Sequence, residues 1–502
     1  MTKDDFELFE DRKPVQISNF YAVDSGKPAE EPSAAPAPAP APAAPPPPPS
    51  AQPEIPEEQQ LFLVIYVDNF NIRQFNRNRV FRDIRQFLSR NLHRGDQVML
   101  VTYDRELHIR HGFTSDPQII ASQLFDIEKI SSFGQSADND RRTLLEDLDD
   151  TKDAASASAR VRSYADALFN DVNFTISALK EFVSSIAGLP GRKAILYVSD
   201  GIEMRAGEDM FYRLQEKYPD QASLLDAMNY DNSRSFQEVA ASANANRVTF
   251  YTLEATGLRV ATSVSAENRS NSSSSMVDSV YFSNLQAPLQ TLAHETGGQA
   301  LLNMNVALPG LERVAADFDT YYSLGYTPAH TGDGRYYKLE VKVKGRKGLT
   351  VRHRDGYRDK TTESRMADAT MSSLMFGFEK NPLAVGMEFG DVVRRDDGNY
   401  MVTIKIKLPI GKLALVPKEG GQQARARAFV AVMDQKGGTS AVQEVSIPIE
   451  IPEAEVAAAV QQYYSYTLSL IMRPGEQRVA VAVRDEFAAS SSFVLRTIDV
   501  GG

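Results

Sequence analysis

The 502-residue chain contains no cysteine. That excludes a disulfide scaffold, a thiolate zinc or iron–sulfur site and a cysteine nucleophile, but leaves the compartment open, since exported chains also lack cysteine. Positive charge is in deficit. Lys and Arg number 55 against 66 Asp and Glu, a net charge of −11. Surfaces that bind nucleic acid or anionic membranes non-specifically need clustered Lys and Arg, so neither is an expected partner. No apolar run approaches the roughly 18 residues of a membrane helix, so no membrane span is expected. The opening Met1-Thr-Lys-Asp-Asp-Phe6 is acidic, lacks an apolar stretch and does not read as a signal peptide.

The length suits about three domains, and 42% hydrophobic with 24% charged residues is an ordinary globular composition. Proline is uneven, with 13 of its 26 copies in residues 28–56. Pro-Ala alternation and the Pro45–Pro49 run can neither form a helix nor pair in a sheet. Residues 28–58 therefore read as a disordered, semi-rigid linker reaching roughly 90 Å at about 3.1 Å per residue. Residues 1–27 before it read as two short strands, Phe6–Glu10 and Val15–Phe20, joined by a turn at Asp11–Pro14. An isolated hairpin is marginal in water, so this piece should belong to a larger β unit or be its remnant.

An α/β grammar follows over residues 59–360. Leu61–Val67 is a continuous apolar run, as in a strand buried on both faces of a parallel sheet. Val98–Tyr103, Ala194–Val198 and Val248–Leu253 repeat that signal, and Leu107–Phe113 alternates like an antiparallel edge strand. Helical spacing recurs from Val80 to Leu92, over about 116–129, up to Ile186, and near 234–245, 284–296 and 307–319. Residues 131–160 are polar and charged and read as a mobile insertion, and Ser263–Ser279 as a loose loop. The alternation predicts a doubly wound, mostly parallel sheet with helices on both faces. Residues 361–380 read as a linker. From 381 to 502, short alternating strands separated by Asp396-Asp-Gly398, Gly437-Gly438 and Pro474-Gly475 predict an all-β sandwich of immunoglobulin-like style.

In a doubly wound sheet ligands bind beyond the carboxyl ends of the strands. Asp68 and Asp200 stand at two such ends, with Asn69, Asn71, Ser199 and Gly201 beside them. Two carboxylates with amide or hydroxyl neighbours suit Mg²⁺ or another divalent cation. In the alternative, Asp68 and Asp200 bond loop amides or cap helices. His108 and His111 fall on opposite strand faces and cannot jointly chelate. There is no Gly-x-Ser-x-Gly elbow and no Gly-Lys-Ser/Thr phosphate loop. Glu295-Thr-Gly-Gly298 fits a helix C-terminus, and Tyr321, Tyr322 and Tyr326 read as packed against a sheet.

Asp68 and Ser199-Asp-Gly201 at strand ends resemble the von Willebrand factor A fold, in its Rossmann-type doubly wound form. Further stretches resemble its bacterial branch, the von Willebrand factor A-related proteins. They are Asp4–Asp11, Lys13–Ile17, Tyr66–Asn69, Arg94–Asp96, Leu189–Lys193, Glu295–Gly298, Tyr321–Pro328, Lys338–Val343 and Arg354–Tyr357, which span about residues 1–358. The resemblance implies a metal-ion-dependent adhesion site of pattern Asp-x-Ser-x-Ser, with a distant Thr and a second Asp. Here the first element reads Asp68-Asn-Phe-Asn-Ile72. Phe70 and Ile72 take the Ser positions, Thr143 sits in the wrong local context, and only Asp68 and Asp200 carry over. The site is thus degenerate, with Asn69 and Asn71 as compensating oxygen donors and the metal held weakly if at all.

The expectation is a non-enzymatic protein–protein interaction or adhesion protein. Its rivals are a structural or envelope-assembly scaffold with no working site and, further off, a metal hydrolase built on Asp68 and Asp200. The resemblance implies an extracytoplasmic protein, periplasmic or secreted. It also implies export and β segments ahead of Asp4, so a late start site or a lost leader is expected; a complete leaderless chain would be cytoplasmic.

Overall fold

The computed structural model describes residues 1–24, 27–28, 60–93, 95–220, 224–259, 274–345 and 348–501. The Pro-rich linker after Pro28, Arg94 and residues 263–273 of the expected Ser/Asn loop lie outside them. Two compact units divide the chain. The first comprises Met1–Glu181, Pro190–Thr331 and Tyr336–Arg358, and the second Phe182–Leu189, Gly332–Arg335 and Asp359–Gly502.

The first unit opens with strands β1 (Phe6–Glu10), β2 (Lys13–Val15), β3 (Asn19–Asp24) and β4 (Lys27–Pro28). Then come β5 (Leu61–Asp68), α1 (Gln74–Asn91), β6 (Gln97–Tyr103), β7 (Leu107–Thr114), α2 (Pro117–Ile127), α3 (Gly134–Asp150) and α4 (Ala154–Ser185), of which the residues up to Glu181 belong to this unit. It continues through β8 (Arg192–Ser199), α5 (Glu208–Lys217), α6 (Ser233–Ala245), β9 (Val248–Glu254), α7 (Ser275–Glu295), β10 (Ala300–Leu301) and α8 (Leu308–Asp319). The last strands are β11 (Tyr321–Gly325), β12 (Tyr336–Val343) and β13 (Gly356–Arg358).

The central sheet has the order β10-β9-β8-β5-β6-β7. All its pairings are parallel except β6 with β7, as the alternation of Leu107–Phe113 predicts. Every residue of β5 is buried. Leu61, Leu63, Ile65 and Val67 join one core with Phe81, Ile84, Leu124 and Leu311 of α1, α2 and α8. On β9, Tyr251 packs edge-on against Phe318 of α8, while the next residue, Thr252, donates its hydroxyl to the Leu289 carbonyl of α7. Successive strand residues point to opposite faces, so helices cover both.

Residues 1–27 take the first of their two expected places, inside a larger β unit: β1 pairs antiparallel with β12, Phe6 opposite Val343, and β3 with β11. Two other sequence expectations are corrected here. Residues 131–160 are not a loose insertion but α3 and the start of α4. Leu144, Leu145 and Leu148 pack on Ala157, Val161 and Ala165, and on Met210, Phe211 and Leu214 of α5. The small Ala side chains let the helices approach, so a sparse apolar stripe suffices. The expected loop at Ser263–Ser279 is helical from Ser275, because the Ser274 hydroxyl caps α7 by accepting the Val277 N–H at 3.2 Å.

In the second unit, residues 361–380 hold α9 (Thr362–Phe376) rather than a linker. Thr361 caps it and Gly377 ends it at φ +74°. Strands β14 (Gly386–Arg394), β15 (Tyr400–Pro409), β16 (Val416–Lys418), β17 (Gly421–Asp434), β18 (Gln443–Pro452), β19 (Tyr463–Met472), β20 (Gly475–Asp485) and β21 (Ser491–Val500) follow, with a single helical turn, α10, at Val456–Ala459. They form two antiparallel sheets, β14-β15-β19 and β16-β17-β20-β21, with β18 also paired to β17. Val402, Ile404 and Ile406 of one sheet share a core with Ala426, Val430 and Val481 of the other. The alternate residues Phe429 and Ala431 of β17 face Met366 and Leu374 of α9.

Glu295-Thr-Gly-Gly298 ends α7 as its composition suggests. The buried Thr296 hydroxyl donates to the Leu292 carbonyl and accepts the Phe250 N–H, tying the helix to β9. Gly297 takes φ +81°, and a Cβ on Gly298 would stand 1.9 Å from the Phe250 carbonyl oxygen. Gly298→Ala is therefore expected to cost about 2–3 kcal/mol, read as a lower urea midpoint. A midpoint equal to wild type would contradict this packing.

Candidate functional site

β5 and β8 are adjacent, Val67 opposite Val198. From β5 the chain passes to β6 on one side, whereas β8 and β9 lie on the other. That reversal opens a crevice beyond the strand ends, and Asp68 and Asp200 flank it.

Asp68 is fully buried. The Tyr197 hydroxyl and the Asn71 amide donate to its Oδ2, the latter at 2.9 Å, and the Asn71 backbone N–H donates to Oδ1 at 3.0 Å. Burial pushes the Asp68 carboxyl above the usual range, and these bonds pull against it. Asn69 is equally enclosed: its amide donates to the Ser131 carbonyl at 2.8 Å, and its oxygen accepts from Arg77. Arg77, fully buried, also donates to the Ile130 carbonyl at 2.8 Å, and desolvation lowers it to about 10. The Asn71 carbonyl accepts the Ser199 hydroxyl and the Asp200 N–H. The loop after β5 is thereby fastened to the end of β8.

Asp200 Oδ2 accepts from the Arg73 backbone N–H at 2.9 Å, from Arg73 Nε at 3.2 Å and from Asn76 Nδ2 at 2.9 Å. It thus anchors the start of α1, whose cap residue Arg73 makes no side-chain capping bond, and its charge suits the positive end of the helix. Arg73 Nη1 reaches on to Asp138 Oδ2 at 3.1 Å, on the first turn of α3. Asp200 Oδ1 is buried with no hydrogen-bond partner among the described residues. Gly201 (φ +121°) lies so close to Leu285 that a Cβ would stand 2.8 Å from its carbonyl oxygen.

The four residues expected to hold a metal therefore do meet at the sheet end, but as a hydrogen-bonded network that leaves Asp200 Oδ1 without a partner among the described residues. Mg²⁺ needs an octahedron of oxygens at about 2.0–2.1 Å. Both Asp68 oxygens and the Asn69 oxygen already accept hydrogen bonds, and the Arg73 guanidinium lies against Asp200. Two unit charges 4 Å apart interact by about 4 kcal/mol at an effective dielectric of about 20, and a dication would feel roughly twice that repulsion. The donor set as arranged does not fit a divalent cation. Of the two expected Ser positions, Ile72 is fully buried in the core and Phe70 leans toward Phe133, ring centroids 6.0 Å apart. Thr143 lies exposed on α3.

The crevice opens into a cavity of about 530 Å³ between the strand ends, α3, α4 and α7, walled by Phe70, Phe133, Tyr164 and Tyr281. Glu203 lines it, almost fully buried, accepting the Gly207 N–H at 2.6 Å. Burial first, and the nearby Asp209 charge second, raise its carboxyl to about 8. Arg141 neutralises Asp209 at 2.7 Å. Arg73, Asn76, Arg77 and Tyr197 escaped sequence reasoning. Their one signal is the i, i+3, i+4 spacing of Arg73, Asn76 and Arg77 directly after a strand end.

No family model matches the sequence, and no curated protein does. Among solved structures, an aerotolerance-related membrane protein from Bacteroides fragilis is 13% identical, covers 51% of this chain and 98% of its own, and gives a TM-score of 0.26. The conserved hypothetical protein BatB from Bacteroides thetaiotaomicron is 11% identical over 51% of this chain and 95% of its own, TM-score 0.26. A von Willebrand factor type A protein from Catenulispora acidiphila is 9% identical over 88% of this chain and 66% of its own, TM-score 0.23. Likeness at TM-scores this low assigns the chain to no family.

Because folded Glu203 holds its proton more tightly than the unfolded chain, its contribution to stability is complete at acid pH and is lost as pH rises from about 4.5 to about 8. Denaturation of wild type and Glu203→Gln across that window should show the variant gaining on wild type as pH rises, with a constant difference above about 8. Parallel curves would contradict the assignment.

Proposed function

We infer that the chain is a non-enzymatic protein-interaction protein of von Willebrand factor A type, whose binding face is the carboxyl end of the parallel sheet. One observation carries this: exposed apolar side chains stand on the segments that leave that end. Phe75 is 78% exposed on the first turn of α1, Phe133 47% before α3 and Leu258 62% after β9. Phe70 and Arg105 stack beside them, 4.9 Å apart. Aromatic and Arg side chains at a crevice are what protein interfaces favour. The carboxylates there are engaged by Tyr, Asn and Arg, an arrangement that supports a rigid binding face better than hydrolysis.

In this reading the second unit, as an immunoglobulin-like sandwich, supplies a spacer or a second surface. The resemblance to von Willebrand factor A-related proteins favours work outside the cytoplasm. No described helix is long and apolar enough to cross a membrane. The many bonds these carboxylates make within the chain favour one rival, a structural scaffold in which the sheet end only stiffens the block.

Cross-linking mass spectrometry on the intact chain, incubated with extract of its source cell, separates the two. Cross-links concentrated on residues 70–75, 133–138 and 256–259, and lost in Phe133→Asp with unchanged melting, are expected. Cross-links confined to residues 381–501 would favour the scaffold.

A further inference from the structure

We propose that Arg73 is a built-in cation that takes the place of a divalent metal at the end of the sheet, so that this face is assembled without any metal ion. The guanidinium does what a bridging metal would do. It lies 3.2 Å from the carboxylate of Asp200, after β8, and 3.1 Å from that of Asp138, on α3. It is carried on the loop whose other residues close around Asp68. Three segments are thus joined through one positive charge that is part of the chain.

The surroundings fit a guanidinium rather than an ion. Planar N–H groups can serve two carboxylates at once, each with a directed hydrogen bond. The Arg73 backbone N–H and Asn76 amide complete the shell of the same Asp200 oxygen. Asp68, the other acidic residue, is removed from competition by Tyr197 and Asn71. Phe70 and Ile72, which have no oxygen to offer through their side chains, are consistent with a site where the chain supplies the cation. The neighbouring Arg259 repeats the device on the other side of Asp200, donating to its backbone carbonyl while paired with the buried Glu254 at 2.6 Å.

This assignment does not depend on whether the face captures a protein. If it does, capture should be insensitive to chelators.

Thermal melting of the intact protein tests it, in chelator and in millimolar Mg²⁺, Mn²⁺ or Ca²⁺. Wild type should melt at one temperature in all four. Arg73→Gln, which leaves Asp200 and Asp138 without their cation, should melt lower in chelator and recover part of the loss in Mn²⁺ or Mg²⁺. Arg73→Lys, which keeps the charge but not the two-sided fork, should melt lower than wild type yet ignore the metals. A cation-dependent rise in wild type that disappears in Asp200→Asn would overturn the proposal, as would an Arg73→Gln variant that folds but ignores every cation. If Arg73→Gln does not fold, water-proton relaxation by Mn²⁺ on wild type decides. Enhancement abolished by Asp200→Asn overturns the proposal, and no enhancement upholds it.

Discussion

The Asp68 carboxylate ends the central strand where no water reaches it, so its hydrogen bonds must come from the protein. Leaving such a group unpartnered would cost several kcal/mol. Tyr197 answers from the neighbouring strand and Asn71 from the following loop. Fixing Asn71 fixes the rest. Its carbonyl takes Ser199 and Asp200, the next turn delivers Arg73 and Asn76 to Asp200, and the preceding residue, Asn69, gives its oxygen to the buried Arg77. Each donor is placed by the one before it, and the geometry traces back to one charge that cannot be solvated.

In the proposed reading such a network serves as a stiff platform rather than a reactive centre. Most of its polar atoms are engaged within the chain, Asp200 Oδ1 excepted. What faces solvent includes apolar and aromatic side chains, Phe75, Phe133 and Leu258, with arginine and acidic residues among them. This division between a polar interior that sets shape and an apolar rim that offers area is how binding surfaces keep both specificity and low reorganisation cost. In the cavity behind the rim Glu203 carries its proton at neutral pH, beside charged side chains such as Asp138, Asp171 and Arg259.

Much of the architecture was legible because parallel strands covered on both faces must be apolar throughout. Leu61–Val67 and Ala194–Val198 could hardly be anything else. Asp68 and Asp200 were legible for a related reason, as polar residues at the exits of such runs. Three things were hidden. β1 pairs with β12 from the far side of the first unit, and no local pattern encodes a distant edge. The polar helix α3 needs only Leu144, Leu145 and Leu148 because alanines receive them, and so its stripe is too thin to detect. Arg73 looks like any surface arginine after a strand, and only the fold brings Asp200 and Asp138 to it.

The pairing of the first strands with the last also sets an order of events in time. Glu10 finds Tyr357 across 347 residues of sequence. At the roughly 5–20 residues per second of synthesis, β1 would wait roughly 17–70 s for its partner strand. The central sheet can form in that interval from segments that follow one another closely. Within the first unit, strands made before the central sheet are thus placed after it. Until then their apolar residues Phe6 and Leu8 remain uncovered, so the newly made protein has to be kept from aggregating at its own N-terminal edge.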